Sequence, residues 1–166
     1  VGAIDGLPFP GRVSGNVYRV RSSGSEEAEQ VAVRSHWASP GYFEAMDIPQ
    51  LSGENFSDRD AVGESDNLNL INETIDPQFG PDASPGREIN ERGPDYYRNV
   101  GVVGDVRERH LTEEPLPMVY RPLSERYGDF SIVARTRGDP EQLVPLLREA
   151  VRSTNPDVPL TQEATM

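Results

Sequence analysis

Few side chains in this sequence combine the type and the spacing that catalysis requires. Its two histidines, His36 and His110, lack the partner four residues away that a zinc-binding helix supplies, and both are predicted to be structural or exposed. No Gly-x-Ser-x-Gly motif is present, and the nearest similar segment, 22–25, lies in a predicted flexible loop. Cysteine and lysine are absent, which excludes thiol nucleophiles, Cys–zinc sites, disulfides and Schiff-base lysines. No catalytic residue is therefore assigned.

Two segments have residue types that bind a phosphate or a cation in other proteins. Residues 101–105, Gly-Val-Val-Gly-Asp, lack the Gly-x-Gly-x-x-Gly spacing of a phosphate loop, and no helix is predicted after them. We predict a buried strand whose glycines let another backbone pass close by. Asp58, Asp60, Glu64 and Asp66 offer oxygen ligands for calcium, but no glutamate closes the loop as it does in an EF-hand. They predict a solvated acidic loop, and no metal or cofactor is expected.

The composition narrows the functional classes further. The chain has 166 residues and a mass of 18.4 kDa, which suits one domain or two small subdomains. Its 16 basic and 28 acidic residues give a net charge of −12, which argues against binding to nucleic acid or to anionic lipid. No apolar run approaches the roughly 20 residues of a membrane-spanning helix. Because the first residue is Val1 rather than Met, we expect a piece of a longer protein.

The hydrophobic pattern predicts a body of short strands. Strands are predicted at 17–21, 31–37, 68–72, 98–106 and 118–123, the first two forming a hairpin. Ser39 and Pro40 have the types favoured at the N-cap and first position of a helix, which indicates a short helix after the hairpin. The polar residues 53–67 predict a surface loop.

The last third of the chain has the pattern of a β-α-β unit. A strand is predicted at 129–137, followed by a helix with Asp139 as its N-cap and by a short strand at 158–161. Leu143, Leu146, Leu147, Ala150 and Val151 give this helix one apolar face.

The order of several short motifs is more informative than any single residue. In chain order they are Ser-Pro-Gly-Tyr-Phe at 39–43, residues 48–56 with Asp-Arg-Asp at 58–60, Ile-Asn-Glu at 71–73, Phe-Gly-Pro at 79–81, residues 85–89, Val-Gly-Val-Val-Gly-Asp-Val-Arg at 100–107, residues 115–122, residues 133–140, residues 146–148, residues 155–160 and Thr165-Met166. From about Val31 to Met166, this series resembles the periplasmic core domain of MacB/FtsX-type ABC transporter permeases. It is most similar to the large group of orphan permeases with duplicated halves.

This resemblance implies an α+β domain with two lobes. Residues 11–122 would form a β-rich inserted lobe, and residues 123–166 a small β-α-β lobe completed by residues 1–10. The domain would lie between the first two transmembrane helices, on the extracytoplasmic (periplasmic) side of the bacterial inner membrane. Two local departures from the family pattern are the missing arginine in 52–56 and the Asp76-Pro77 step, which interrupts an expected helix.

The resemblance also implies a function without catalysis. The domain would couple transmembrane motion to a substrate or partner outside the membrane, while a separate cytoplasmic domain or subunit hydrolyses ATP. Its partners would be the parent transmembrane helices, the ABC ATPase and an extracytoplasmic protein or cargo, with no nucleic acid. Two alternatives stay open: a free-standing extracytoplasmic ligand-binding or sensor module, and a hydrolase or metal enzyme using the acidic residues from Asp58 to Asp66.

Overall fold

A computed structural model describes residues 1–7, 15–21, 26–63, 67–75, 85–90, 94–107, 114–161 and 164–165. Its strands are β1 (Gly2–Ile4), β2 (Gly15–Arg21), β3 (Glu29–Ala38), β4 (Gln50–Gly53), β5 (Leu68–Asn72), β6 (Glu88–Asn90), β7 (Tyr97–Val103), β8 (Met118–Pro122) and β9 (Ser131–Val133). Its helices are α1 (Pro40–Ala45), α2 (Asp58–Ala61) and α3 (Pro140–Thr154), with a 3-10 turn at Leu123–Glu125. Within the described ranges, no helix is long and apolar enough to cross a membrane.

The chain forms two compact units, Val1–Val133 and Ala134–Met166. The second unit contains α3, and Asp139 caps this helix as predicted, because its side chain accepts a hydrogen bond from the Glu141 N–H at 3.0 Å. The first unit contains the strands, which form one mixed sheet. A mixed sheet with few helices confirms the predicted α+β class.

Six strands of this sheet close on themselves. Their order is β2-β6-β7-β5-β8-β3, and β2 also pairs with β3, so the first and last members of the series meet. The β3–β8 and β5–β7 pairs are parallel, and the other pairs are antiparallel. Beyond this closed ring, β1 pairs with the end of β3, β9 pairs with β1, and β4 pairs with β7. Closure protects the backbone edges of the six ring strands from unwanted pairing.

Each ring strand contributes to a core enclosed by the ring. The buried residues of this core are Tyr18, Val20, Val31, Val33, Ile71, Ile75, Ile89, Val102 and Val119. In β2 and β3 they occupy alternate positions, since alternate side chains in a strand point to the same face. The alternating hydrophobic pattern that predicted the β2–β3 hairpin thus corresponds to side chains that pack in the core enclosed by the ring.

A second core lies on the outer face of the sheet, beneath α1. Its centre is Phe43, whose ring meets Tyr120 edge-to-face at 5.1 Å and Tyr42 at 5.5 Å. Phe56 packs on the same ring at 6.3 Å. The outer core also includes Ile4, Ala38, Ala45, Leu70, Val100, Val103, Met118 and Val133. Neighbouring residues of β5 and β8 therefore serve the two cores in alternation.

A polar network ties three central segments together. Asp105, just after β7, accepts hydrogen bonds from the Asn72 Nδ2 at 2.5 Å, the Thr74 N–H at 2.9 Å and the Thr74 hydroxyl at 2.7 Å. Asn72 Nδ2 also donates to the Leu116 carbonyl, and its Oδ1 accepts from the Met118 N–H at 2.8 Å. The fully buried Asn72 thus fixes the start of β8 against the end of β5.

The glycines of the 101–105 segment have the structural role that the sequence predicted. A Cβ at Gly101 would lie 2.5 Å from the Glu54 carbonyl oxygen and 2.8 Å from that of Ser52, and a Cβ at Gly104 would lie 2.8 Å from the ring of Pro49. Gly53 has φ +67°, and its own Cβ would meet the Val100 carbonyl oxygen. This confirms a strand whose glycines admit a second backbone, here β4.

Two local predictions are wrong. Residues 53–67 are not entirely loop, because α2 begins after Ser57. The Ser57 N–H and hydroxyl both donate to the Asp60 carboxylate. Asp60 is buried and is not part of a solvated loop. Residues 158–161 form no strand; Pro156 and Pro159 lack the N–H that ladder pairing needs. The predicted lobe boundaries stay a prediction.

Replacing Gly101 with alanine tests the contact between β7 and β4. We expect Gly101→Ala to lower the free energy of unfolding by roughly 2 to 3 kcal/mol, because the methyl group collides with backbone that cannot rotate away. Gly15→Ala in β2 is the matched control, since no atom of the described structure lies within 4 Å of its Cβ position. Urea denaturation measures both; equal stability of the two variants would contradict the close approach.

Candidate functional site

A cluster of interacting charged and aromatic side chains lies where β1 meets β3. We define the β1 junction as Asp5, His36, Trp37 and Arg126. Asp5 Oδ1 lies 2.8 Å from His36 Nδ1 and accepts the Trp37 N–H at 3.1 Å. The side chains of Asp5 and His36 are only 12% and 7% exposed, so this contact is shielded from water.

Arg126 covers the outside of the junction. Its Nε lies 3.8 Å from Asp5 Oδ2, and its guanidinium carbon lies 4.9 Å from the centre of the Trp37 ring, within cation–π range. On the other side, the His36 ring stacks against Tyr120 at 6.5 Å. The junction therefore joins β1, β3, β8 and the segment after the 3-10 turn.

The Ser-Pro-Gly-Tyr-Phe motif at 39–43 also contacts β1. Ser39 occupies the N-cap position of α1 and Pro40 the first helical position, as predicted, but the Ser39 hydroxyl accepts the Ala3 N–H at 2.8 Å instead of a helix N–H. The Ala3 carbonyl in turn accepts the Ser39 N–H at 2.8 Å. A Cβ at Gly41 would collide with the Val1 carbonyl oxygen, so the motif needs glycine where β1 crosses the helix.

The same strand carries the second half of the arrangement. β1 pairs antiparallel with β9 over three residues, Gly2 with Val133, Ala3 with Ile132 and Ile4 with Ser131. Two segments more than a hundred residues apart in sequence therefore lie side by side, next to the junction. The contacts described above join β1 to β3, to β9, to α1 and to the segment after the 3-10 turn, so the β1 junction acts as a clamp that holds β1 in place.

A second charged cluster lies nearby on β8. The Arg121 guanidinium carbon lies 4.1 Å from the centre of the Tyr97 ring and 5.7 Å from that of Tyr18. Loss of water around the Glu125 carboxyl raises its pKa, and the Arg121 charge and the Tyr97 hydrogen bond oppose this rise. Desolvation and the Glu125 charge raise the pKa of the Tyr97 hydroxyl. This cluster, too, joins elements, here β7, β8 and the 3-10 turn.

The candidate site residues named from the sequence lie in different parts of the structure or outside its described residues. His36 is buried in the β1 junction, whereas His110, Glu64 and Asp66 lie outside the described residues. The Asp60 carboxylate is occupied by Ser57. In the part of the chain that the structure describes, no group of three or more His, Asp or Glu side chains could hold a metal ion.

Sequence reasoning missed Asp5 and Arg126. Asp5 stands 31 residues before His36, and Arg126 lies far beyond both, so no local pattern relates them. The sequence showed only that His36 and Trp37 are adjacent in a predicted strand, and it did not show which residues contact them.

No family model matches the sequence, and no curated protein does. Solved structures do share the fold. The periplasmic region of MacB from Actinobacillus actinomycetemcomitans has a TM-score of 0.59 at 16% identity, over 92% of this chain and 66% of that chain. A domain of a putative permease protein from Porphyromonas gingivalis has a TM-score of 0.57 at 15% identity, over 92% of this chain and 63% of that one.

A third solved structure is the extracellular domain of the noncanonic ABC-type transporter YknZ from Gram-positive bacteria. It has a TM-score of 0.55 at 17% identity and covers 93% of this chain and 74% of that chain. The present chain spans about two thirds of the length of the first two structures. The fold is therefore that of a MacB-like periplasmic domain, which confirms what the motif series predicted.

Removing the Asp5 carboxylate tests the β1 junction. We expect Asp5→Ala to lower the free energy of unfolding by about 2 kcal/mol, because His36 and the Trp37 N–H lose a buried acceptor. Asp129→Ala, an exposed acid in the same unit, serves as the control and should change stability by less than about 0.5 kcal/mol. Hydrogen exchange at the β1 amides should rise in Asp5→Ala alone; unchanged exchange there would contradict the clamp.

Proposed function

We propose that this chain is the extracytoplasmic domain of an ABC transporter permease and carries no catalytic activity of its own. The shared fold with periplasmic and extracellular domains of such transporters supports this proposal. Fold alone does not assign function, so the argument also needs a feature of this chain. That feature is the pairing of β1 with β9 beside a buried clamp.

The β1–β9 pair supports a role in coupling. In our proposal the domain lies between two transmembrane helices of the parent permease, on the outer side of the bacterial inner membrane. One helix leads into β1, and the other follows the segment after β9. Because the two strands are paired, a displacement of either helix reaches the same part of the sheet. The ATPase would act from the cytoplasm as a separate domain or subunit.

The lobe arrangement belongs to the same proposal. Residues 11–122 would form the β-rich lobe, and residues 123–166 the smaller lobe, completed by residues 1–10. The pairing of Ala3 with Ile132 supports joining the first residues to the later segment. Motion of the smaller lobe would then be passed to the ring, and from there to a substrate or protein partner outside the membrane.

Cysteine labelling in the full-length permease tests this placement. Tyr127 is 93% exposed and the chain has no cysteine of its own, so Tyr127→Cys provides a single accessible thiol within this domain. We expect a membrane-impermeant maleimide to label it from outside the inner membrane in spheroplasts. Ala38→Cys, at a fully buried position, is the control and should react only after denaturation. Labelling of Tyr127→Cys only in inside-out vesicles would refute the proposal.

A further inference from the structure

An open groove lies on the first unit between the end of α1 and β4. Its volume is about 370 Å³. Its apolar lining residues are Ile48, Pro49 and the almost fully buried Phe43, and its polar lining residues are Glu44, Asp47, Gln50 and Asn55. Most of these residues belong to the 48–56 motif or to α1, and the β1 junction uses none of them.

The walls of the groove are held in place by hydrogen bonds. The Asn55 side-chain amide donates to the Pro40 carbonyl at 3.2 Å, and the Gln50 amide donates to the Ser52 carbonyl at 2.7 Å. Asp47 takes the left-handed conformation with φ 60°, which turns the chain from α1 into the groove wall. The Pro49 carbonyl accepts the Gly104 N–H at 2.8 Å. The groove is therefore preformed, which lowers the entropic cost of binding.

The charged residues that line the groove are both acidic. Glu44 and Asp47 are exposed, neighbouring Glu54 is exposed too, and the groove lining contains no basic residue. The chain as a whole carries a net charge of −12, so its field attracts cations and repels anionic partners. An apolar floor with acidic neighbours is complementary to a segment that combines a basic and an apolar side chain.

We propose that this groove docks a basic peptide segment of an extracytoplasmic partner protein. One apolar side chain of the segment contacts Ile48 and Pro49, and a flanking arginine or lysine pairs with Glu44. The volume is near the lower end of small-molecule sites, roughly 300 to 1,000 Å³, and suits one anchor side chain. The inference rests on the proposed function, because it needs this face to be presented outside the membrane.

A peptide titration tests the groove on the purified 166-residue chain. The probe is a short fluorescein-labelled peptide of alternating arginine and leucine, and two control peptides replace the arginines with glutamate or the leucines with serine. We expect binding of the probe alone, with amide chemical-shift changes at residues 43–50 and at Asn55. Glu44→Arg should weaken binding at least about tenfold, since it reverses the charge that pairs with the peptide.

The matched variant is Glu149→Arg, which makes the same charge change at an exposed position of α3 in the second unit. It should change the affinity less than about twofold, because it alters net charge but not the groove. Unchanged thermal midpoints establish that both variants are folded. Equal weakening by both variants, binding of the serine-substituted peptide, shifts located elsewhere or no binding at all would overturn the proposal. A dimer that Glu44→Arg dissolves would assign the groove to a second copy and overturn it as well.

These outcomes are independent of the maleimide labelling of Tyr127→Cys in the permease. A domain that is labelled from outside but does not bind the peptide retains its proposed location and loses only the groove. Labelling from the cytoplasmic side would instead remove the proposed function, whatever the peptide does.

Discussion

The described structure of the first unit depends on one carboxylate, that of Asp105. Its two oxygens accept three hydrogen bonds from Asn72 and Thr74, and Asn72 in turn satisfies the Met118 N–H and the Leu116 carbonyl. Strands β5 and β8 are thereby fixed in register at the centre of the sheet. Both cores draw side chains from these two strands, so a shift in their register would move residues of each core to the opposite face.

Around the central strands β5 and β8, the outer elements are held by close backbone contacts at glycines. Gly101 and Gly104 admit β4 and Pro49 onto β7, while Gly41 admits β1 onto α1. The β1 junction then closes over β1 with Asp5 and His36. In our proposal, these contacts also transmit motion between the transmembrane helices and the ring. A displacement carried by β1 and β9 reaches the rigid ring through a buried contact rather than through a loop.

Local sequence patterns were enough to predict the hairpin of β2 and β3, the start of α1 at Pro40 and the N-cap of α3 at Asp139, because each depends on neighbouring residues. Helix α2 was missed because its four residues are mostly polar, and its signal is the Ser57–Asp60 capping pair rather than a hydrophobic period. The strand expected at 158–161 reflected an apolar residue pattern that its prolines override.

Contacts between polar residues far apart in the sequence were harder to predict than the strands and helices. Asn72 and Asp105 each fell within a motif that carried the family resemblance, yet they are 33 residues apart, so their hydrogen bond could not be inferred from either motif. Asp5 and His36 lie in none of these motifs, and because they are 31 residues apart, their contact could not be inferred from the sequence either. The sequence marked Asn72 and Asp105 through their motifs, but it did not mark Asp5, and both contacts became visible only in the folded chain.

In our proposal, β1 and β9 move as one body during transport. A cross-link between them tests it most directly, since Ala3 and Ile132 are opposite each other in an antiparallel pair, whose Cα separation of about 4.5 to 5.5 Å suits a disulfide. The measurement is the ATPase rate of the reconstituted full-length permease with its ATPase, carrying Ala3→Cys and Ile132→Cys, before and after oxidation. We expect the same rate in both states. Loss of activity on oxidation, restored by reductant, would show that the two strands must separate and would contradict it.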